Sequence, residues 1–362
     1  MKSTPPPRAT PADASLARTA VPAGYDRAAS TMALQPLLQQ LGVDLHQALA
    51  ESGLPLGMFD HPDNLVPFRD GSRLLGLCAD RSGCAHLGLL IGRHSPLESL
   101  GILADLAKAA PDVRSALYLL VRYLKLSDGC GLLALHESSR FAHFSYALYA
   151  PGVERAEVVY DLAMAWQWTI LRALCGNRWL PHEVLLTRRR PADIRPYRSF
   201  LRAPLRFDCD ESAVVFDKQW LDRPLHSADP RRLNALQAQA RAIEAQSTGD
   251  LPARVRQVMR RQLYNGGSSM HQVAGELGMH RRTLDRHLKD QGLSFRALGD
   301  ELRFEMARQL LSTTRMQVVE VAQSLHYANA GAFSTAFRRW SGSSPSQWRS
   351  TVSALETVSS DG

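Results

Sequence analysis

Two short stretches near the C-terminal end constrain this chain more than anything else in it. The first runs from Ser269 through Gly278 to Leu288, the second from Val318 to Trp340, about 48 residues later. Ser269 with Gln272 has the spacing of a capping box, which predicts a helix start. Gly278 suits the left-handed residue that ends such a helix and turns the chain sharply. Val273, Ala274, Leu277, Leu284 and Leu288 then fall on inward faces at helical spacing, leaving Arg281, Arg282, Thr283, Asp285 and Arg286 as candidate contacts outside. In the second stretch Phe333, Phe337 and Trp340 recur three and four residues apart and must pack inward. Asn329, Gly331, Ser334, Thr335, Arg338 and Arg339 remain outside. Both stretches read as helix–turn–helix units, joined by an amphipathic helix over 295–311. One such match could be chance, but two at this separation with a helix between them exclude a generic basic bundle. Residues early in a second helix are the ones directed at base edges. An Asn amide can read adenine, and Arg can hold guanine or phosphate.

Charge supports the same division. The chain has 362 residues and a net charge of +8. Residues 250–350 carry 15 Lys+Arg against 8 Asp+Glu, whereas residues 1–249 carry 28 against 25. A basic module on a near-neutral body is the footprint of a double-stranded nucleic-acid partner. With 45% hydrophobic residues, the chain is excluded from collagen-like, coiled-coil and wholly disordered classes. No apolar run approaches the roughly 18–20 residues of a membrane helix, so no membrane partner is expected. The first 29 residues, rich in Pro, Ala, Thr and Ser, read as a disordered leader and not as a secretory signal. Five scattered cysteines without a C-x-x-C point to a reduced, cytoplasmic protein with neither disulfide framework nor structural zinc.

The remaining sequence divides into a regulatory module over 30–228, a linker over 229–250, the double helix–turn–helix module over 251–350, and a flexible tail over 351–362. In the regulatory module, Met32, Leu34, Leu37, Leu38 and Leu41 recur at helical spacing up to Gly42. Pro111 is placed to open a helix carrying Val113, Leu117, Leu120, Val121 and Leu124. Residues 132–136 and 141–149 read as two strands, followed by a long helix over 153–174 containing Trp166 and Trp168. Further strands are expected at 184–186 and 213–216, with a helix over 192–201 between them. About four strands are too few for a jelly-roll barrel. The expected class is therefore an α+β amino-terminal regulatory domain, mostly helical with a small sheet, followed by an all-α double helix–turn–helix domain.

The last hundred residues, above all 284–295 and 332–349, resemble the DNA-binding domain of AraC/XylS-type transcription regulators. The likeness implies seven helices, with both recognition helices entering successive major grooves on one DNA face. His280 and Ala328 stand where the family often has a capping Ser, Gln317 replaces another capping residue, and His326 takes the usual turn Gly. A second helix–turn–helix that is less rigid and less well capped is expected from these departures. Leu38–Asp44 segment residues, His86-Leu87-Gly88-Leu89-Leu90-Ile91-Gly92, Tyr123-Leu124-Lys125-Leu126-Ser127-Asp128-Gly129 and Arg190-Pro191-Ala192-Asp193 resemble one branch of that family. Its amino-terminal domain is termed arabinose-binding-like, and its members include ornithine-utilisation and virulence regulators. The resemblance implies an activator that works as a homodimer, engages RNA polymerase and responds to a small-molecule effector.

Phe144, Tyr146, Trp166 and Trp168 are the candidate effector-pocket residues, against the plainer reading of aromatic core. Cys130 lies before a strand and not on a nucleophile elbow, so it reads as a packed thiol. The arginine run at 188–190 reads as solvated. The histidines show no metal-ligand spacing, and no P-loop, G-x-G-x-x-G or G-x-S-x-G is present. No enzyme, cofactor or metal is expected. Two alternatives stand beside the regulator: a DNA-repair methyltransferase fused to an AraC-like domain, which needs a cysteine cluster, and a ligand-independent regulator with a vestigial sensor.

Overall fold

A computed structural model describes residues 21–22, 24–148, 153–245, 251–313 and 316–350. The first element, β1 (Tyr25–Arg27), pairs antiparallel with β2 (Leu65–Pro67). Order thus begins ahead of Ser30, because Arg27 is buried and donates to the carbonyls of Leu126 at 3.1 Å and Asp63 at 3.2 Å. Between these strands lie α1 (Leu34–Leu41) and α2 (Leu45–Ser52), the latter capped by Asp44, which accepts from His46 N at 2.8 Å. Helices α3 (Phe68–Ser82), α4 (Leu87–His94), α5 (Ile102–Ala109) and α6 (Val113–Tyr123) follow. Pro111 does not open α6: Asp112 is its N-cap, accepting from Ser115 N at 2.7 Å, and Pro111 stands outside the helix. An Asp side chain satisfies an amide that a first-turn proline would merely omit.

The long hairpin β3 (Gly131–Glu137) and β4 (Phe141–Leu148) leads into α7 (Ala156–Cys175). Then come β5 (Glu183–Leu185), α8 (Arg195–Leu201), β6 (Leu205–Arg206) and β7 (Ser212–Asp217). One five-stranded sheet results, in the order β3-β4-β7-β5-β6, antiparallel except for β5 with β6. The sheet has one strand more than the expected four because β6 was too short to show a pattern. Phe144 stands opposite Leu135 and Val214. Ala142, Phe144, Tyr146 and Leu148 share the face turned to the main core with α7, while His143, Ser145, Ala213 and Val215 occupy the other.

Helix α9 (Pro230–Ala245) occupies most of the segment expected to be the linker and packs on α5 and on the turn Leu124–Leu126, with Ala240 and Ile243 buried. The C-terminal module comprises α10 (Leu251–Tyr264), α11 (Met270–Glu276), α12 (Arg281–Asp290), α13 (Phe295–Thr313), α14 (Val318–Ser324) and α15 (Ala330–Ser341), with residues 345–350 helical after them. It owns a separate core in which Leu284, Leu302, Ala307, Phe333 and Phe337 are fully buried. Residues 1–20, most of the expected leader, and 351–362, the expected tail, lie outside the described residues. Among the described residues, no single helix is long and apolar enough to cross a membrane.

Helix α4 crosses α7 at close range. A Cβ on Gly88 would sit inside the carbonyl oxygen of Val158 and 3.0 Å from Leu162 N. On Gly92 it would meet the Ala165 side chain and lie 2.9 Å from Leu162 O. The two glycines, one turn apart, let the helix backbones touch, and the neighbours that would have to move are themselves backbone. Gly88→Ala is therefore expected to lower stability by about 1–3 kcal/mol through overpacking. Gly275→Ala, in a helix with open space around the new methyl, should instead raise it by about 0.5–1 kcal/mol. Urea unfolding of the two variants checks both signs.

Candidate DNA interface and the domain junction

The recognition faces are built from the inside out. Ser269 and Gln272 form the capping box that starts α11, Ser269 Oγ accepting from Gln272 N at 3.2 Å. Gly278, at φ 67°, turns the chain into α12. His280 caps α12 itself: its ring Nδ1 accepts from Arg282 N at 3.2 Å. Leu284 and Leu288 are fully buried beneath the helix. That burial leaves Arg281, Arg282 and Arg286 exposed, Thr283 half-buried, and Asp285 half-buried in an ion pair with Lys289 at 2.8 Å.

The second unit follows the same plan with different caps. Glu320 accepts from the backbone N–H of Gln317 at the start of α14. Asn329 caps α15, its Oδ1 accepting from Ala332 N at 2.8 Å. The second motif is thus capped at both helices, contrary to the weaker capping expected: Asn329 does beside Ala328 what the family's Ser does. His326 does adopt the left-handed conformation, φ 60°, and its Nε2 lies 2.7 Å from the carbonyl of Leu263 in α10. A contact of that kind offsets part of the ~1 kcal/mol cost of a side chain there. Phe333 and Phe337 are buried and Trp340 is half-buried, while Gly331, Thr335, Arg338 and Arg339 are exposed and Ser334 is half-buried. Thr335 returns its hydroxyl to the Gly331 carbonyl at 3.0 Å, and Arg339 pairs with Asp300 of α13 at 2.8 Å. The Asn329 oxygen is engaged in capping, which leaves its NH₂ group as the part able to meet a base.

The four aromatics singled out in the regulatory module are not brought to one cavity. Phe144 is buried in the core. Trp166 is buried with its backbone against Gly92, and Trp168 packs between Trp179 and Phe200 and donates to the Leu201 carbonyl at 3.0 Å. Tyr146 alone of the four borders the cleft between the modules, its hydroxyl donating to Asp128 Oδ2 at 2.8 Å. Cys130 is a packed thiol as expected, with burial pushing its pKa up to about 12, which removes nucleophilic character.

The arginine run is not uniformly solvated. Arg188 is nearly buried, forms an ion pair with the fully buried Asp161 of α7, meets the Tyr197 hydroxyl, and lies 5.3 Å over the Tyr197 ring. An acid among Val158, Val159, Leu162 and Ala165 needs a cation, and Arg188 is the one the fold delivers. Burial pushes the Asp161 carboxyl up to about 7, against the pull of Arg188 and Tyr197. The sequence signal was an aspartate on an otherwise apolar helix face.

A second ionic cluster joins the modules. Glu244 of α9 accepts from Arg122 at 2.7 and 3.2 Å and from Lys125 at 2.8 Å. Burial alone would raise the Glu244 carboxyl, but Lys125 and Arg122 together hold it below its ordinary range. Arg261 of α10 donates to the Arg122 carbonyl at 2.9 Å and also pairs with Glu276 of α11. Burial and the nearby Arg122 charge push Arg261 down to about 10. No single side chain in this chain of contacts stands out in the sequence, because its members come from four helices and the turn after α6.

A helical module carrying two arginine-faced helix–turn–helix units, fixed to a mixed α/β amino-terminal module, has the architecture of a two-domain DNA-binding regulator. Residues 42–225 match the model of the arabinose-binding domain at the N-terminus of AraC transcription regulators, and residues 273–351 match a helix-turn-helix domain. The chain belongs to the AraC family of transcription regulators and is a DNA-binding transcription regulator. It is similar to the HTH-type transcriptional regulator VirS of Mycobacterium tuberculosis, 26% identical over 327 residues that cover 89% of this chain and 96% of VirS. The ornithine utilization regulator of Pseudomonas aeruginosa is 26% identical over 332 residues, covering 88% of this chain and 94% of its own. The crystal structure of the transcriptional regulator CdpR from Pseudomonas aeruginosa matches at 23% identity and a TM-score of 0.43, covering 84% of this chain and 96% of CdpR.

The Asp161 site gives a pH dependence. Its carboxyl titrates near pH 7 in the fold and near about 3.9 in an unfolded chain. The folded protein therefore keeps a proton that the unfolded chain has released between those values. The stability this adds is complete below about pH 4 and is lost as the pH rises through about 7. Urea midpoints of the native chain should fall between pH 5 and pH 8 by more than those of Asp161→Asn, and equal slopes would show that the carboxyl is ionised throughout.

Proposed function

We propose that the chain is an effector-responsive transcription activator, working in the cytoplasm as a homodimer. Its two recognition helices, α12 and α15, enter successive major grooves of operator DNA about one helical turn, ~34 Å, apart. The observation that carries this reading is that both exposed basic helices belong to one core: Phe337 under α15 stacks edge-on with Phe304 of α13 at 5.5 Å, and α13 also packs on α10 beside α11 and α12. The spacing of the two helices is thus set by packing inside one domain. Activation through RNA polymerase, and a small-molecule signal received by the regulatory module, follow from the family resemblance. The name of one relative speaks of ornithine utilization, and it does not supply this chain's effector.

We infer different tasks for the arginines from their positions on the two helices. Arg282 lies in the first turn of α12, where side chains reach base edges, and Arg281, Thr283 and Arg286 flank it. Arg338 and Arg339 lie in the last turn of α15, nearer the phosphates. Arg282→Ala is expected to cost roughly 1–3 kcal/mol and to relax base preference at one operator position. Arg338→Ala should weaken binding to all sequences alike and lower the salt slope by about one unit. Arg339→Ala should do the same to a smaller extent, since Arg339 must leave Asp300 to reach a phosphate. Binding and footprinting on single-base operator variants at several salt concentrations tests these roles. A change of base preference with Arg338→Ala and none with Arg282→Ala would reverse them.

A further inference from the structure

Between the outer face of the five-stranded sheet and the C-terminal module lies a cleft of ≈ 760 Å³. That volume falls within the range of small-molecule sites, which favour module boundaries of this kind. Its sheet side is apolar, with Leu132, Ala147 and Leu185, and its opposite side carries Met306, Leu310 and Met316 from the DNA-reading module. Two tyrosines complete the lining, Tyr160 from α7 and Tyr264 from the end of α10.

The hydroxyls of these tyrosines have hydrogens to spare. Tyr160 Oη accepts from the Leu148 backbone N–H at 3.2 Å, so its own hydrogen is directed elsewhere. Tyr264 Oη lies 3.5 Å from Ser145 Oγ, and one bond between two hydroxyls uses only one of their two hydrogens. Among the described residues, neither Tyr160 nor the Tyr264–Ser145 pair has a further acceptor. Tyr160 also acts electrostatically on the Tyr264 hydroxyl, as expected of two groups bordering one space.

The charged groups around the cleft are already engaged. Glu211 lies 3.2 Å from His143 and holds that imidazole above its ordinary range, and Arg206 stands 3.9 Å from Glu183. Arg349 donates to the carbonyls of Leu311 at 3.2 Å and Met316 at 2.6 Å. Burial raises the Asp210 carboxyl toward its neutral form, and Asp208 is engaged as well. Burial also holds the His136 imidazole below its ordinary range, so it carries no charge near neutral pH. An ion entering the apolar part therefore gives up water with no opposite charge waiting for it. A neutral hydrocarbon strands the tyrosine hydrogens away from water, whereas a neutral molecule with an acceptor oxygen satisfies them.

We propose that this cleft binds an uncharged, apolar carbonyl compound whose oxygen accepts from the hydroxyls of Tyr160 and Tyr264, an inference that rests on the reading of the chain as effector-responsive. One tyrosine belongs to each module, so the occupant ties the regulatory module directly to α10. The cleft also reaches Ser324 and His326, at the turn of the second helix–turn–helix.

Thermal unfolding of the full chain with three probes that share a phenylalkyl body tests this: 4-phenylbutan-2-one, 3-phenylpropionate and phenethylamine, each at millimolar concentration. The ketone is expected to raise Tm by about 2 °C or more, and the acid and the amine to leave it unchanged. Tyr264→Phe, which keeps the ring and removes the O–H, should cut the ketone's shift by about half or more. Ala147→Trp, which fills the sheet side of the cleft, should abolish it. A ketone that gives no shift, an acid or amine that matches it, or a shift that Tyr264→Phe leaves whole overturns the proposal. Operator binding by the same proteins without ketone is read in parallel. Intact DNA binding alongside a failed ketone result rejects the cleft assignment and leaves the regulator reading standing, whereas lost binding in the unaltered chain rejects the regulator itself.

Discussion

The backbone contact of α4 with α7 is the constraint on which the regulatory module depends. Helix α7 is buried around most of its circumference, with the sheet on one flank and α3 and α4 on another. A helix enclosed in this way can be placed only if one neighbour comes close enough to leave room for the rest. Gly88 and Gly92 provide that approach, and nothing larger than hydrogen fits at either position. With α7 fixed, Phe144 and Phe216 can be covered from one side of the sheet, and the opposite face is left for the DNA-reading module.

Legibility in the sequence followed the range of the forces involved. Helices whose apolar residues recur every three or four positions, such as α6, α7 and α15, could be read to within a few residues. So could the hairpin β3–β4, where a polar turn separates two alternating runs. The two-residue strand β6 and the three-residue strand β1 were not readable, because their existence depends on a partner strand far away in sequence. Pro111 and the cap at Asp112 illustrate a subtler limit. Both residues are plausible helix starters, and only the carboxylate actually reaching Ser115 decides between them.

The exposed face of α12 was readable for the same reason as the helices, since local spacing alone separates buried Leu284 and Leu288 from exposed Arg281, Arg282 and Arg286. The ionic clusters were not. Arg188 sits in a run of three arginines that looks fit for solvent, and its burial follows from Asp161, 27 residues earlier on α7. The four candidate effector aromatics are likewise separated by tertiary packing. Tyr146 and Phe144 lie on the same strand face, yet one reaches the edge of a cleft and the other ends in the core. Caps were replaced where the family pattern was missing, by a histidine ring before α12 and an asparagine before α15. A helix terminus requires an acceptor at the right point and not a particular residue.

Helix α10 is anchored at one end in two directions. Arg261 holds a regulatory-module carbonyl and a carboxylate of α11, and two residues later the Leu263 carbonyl holds the His326 ring. The two reading heads are therefore hung from a single mast within one helical turn of each other. Tilting that mast turns both heads together, so the distance between them is kept while their pitch against the double helix changes. For the regulator proposed above, a tilt of this helix therefore carries both reading heads together and leaves the distance between them unchanged.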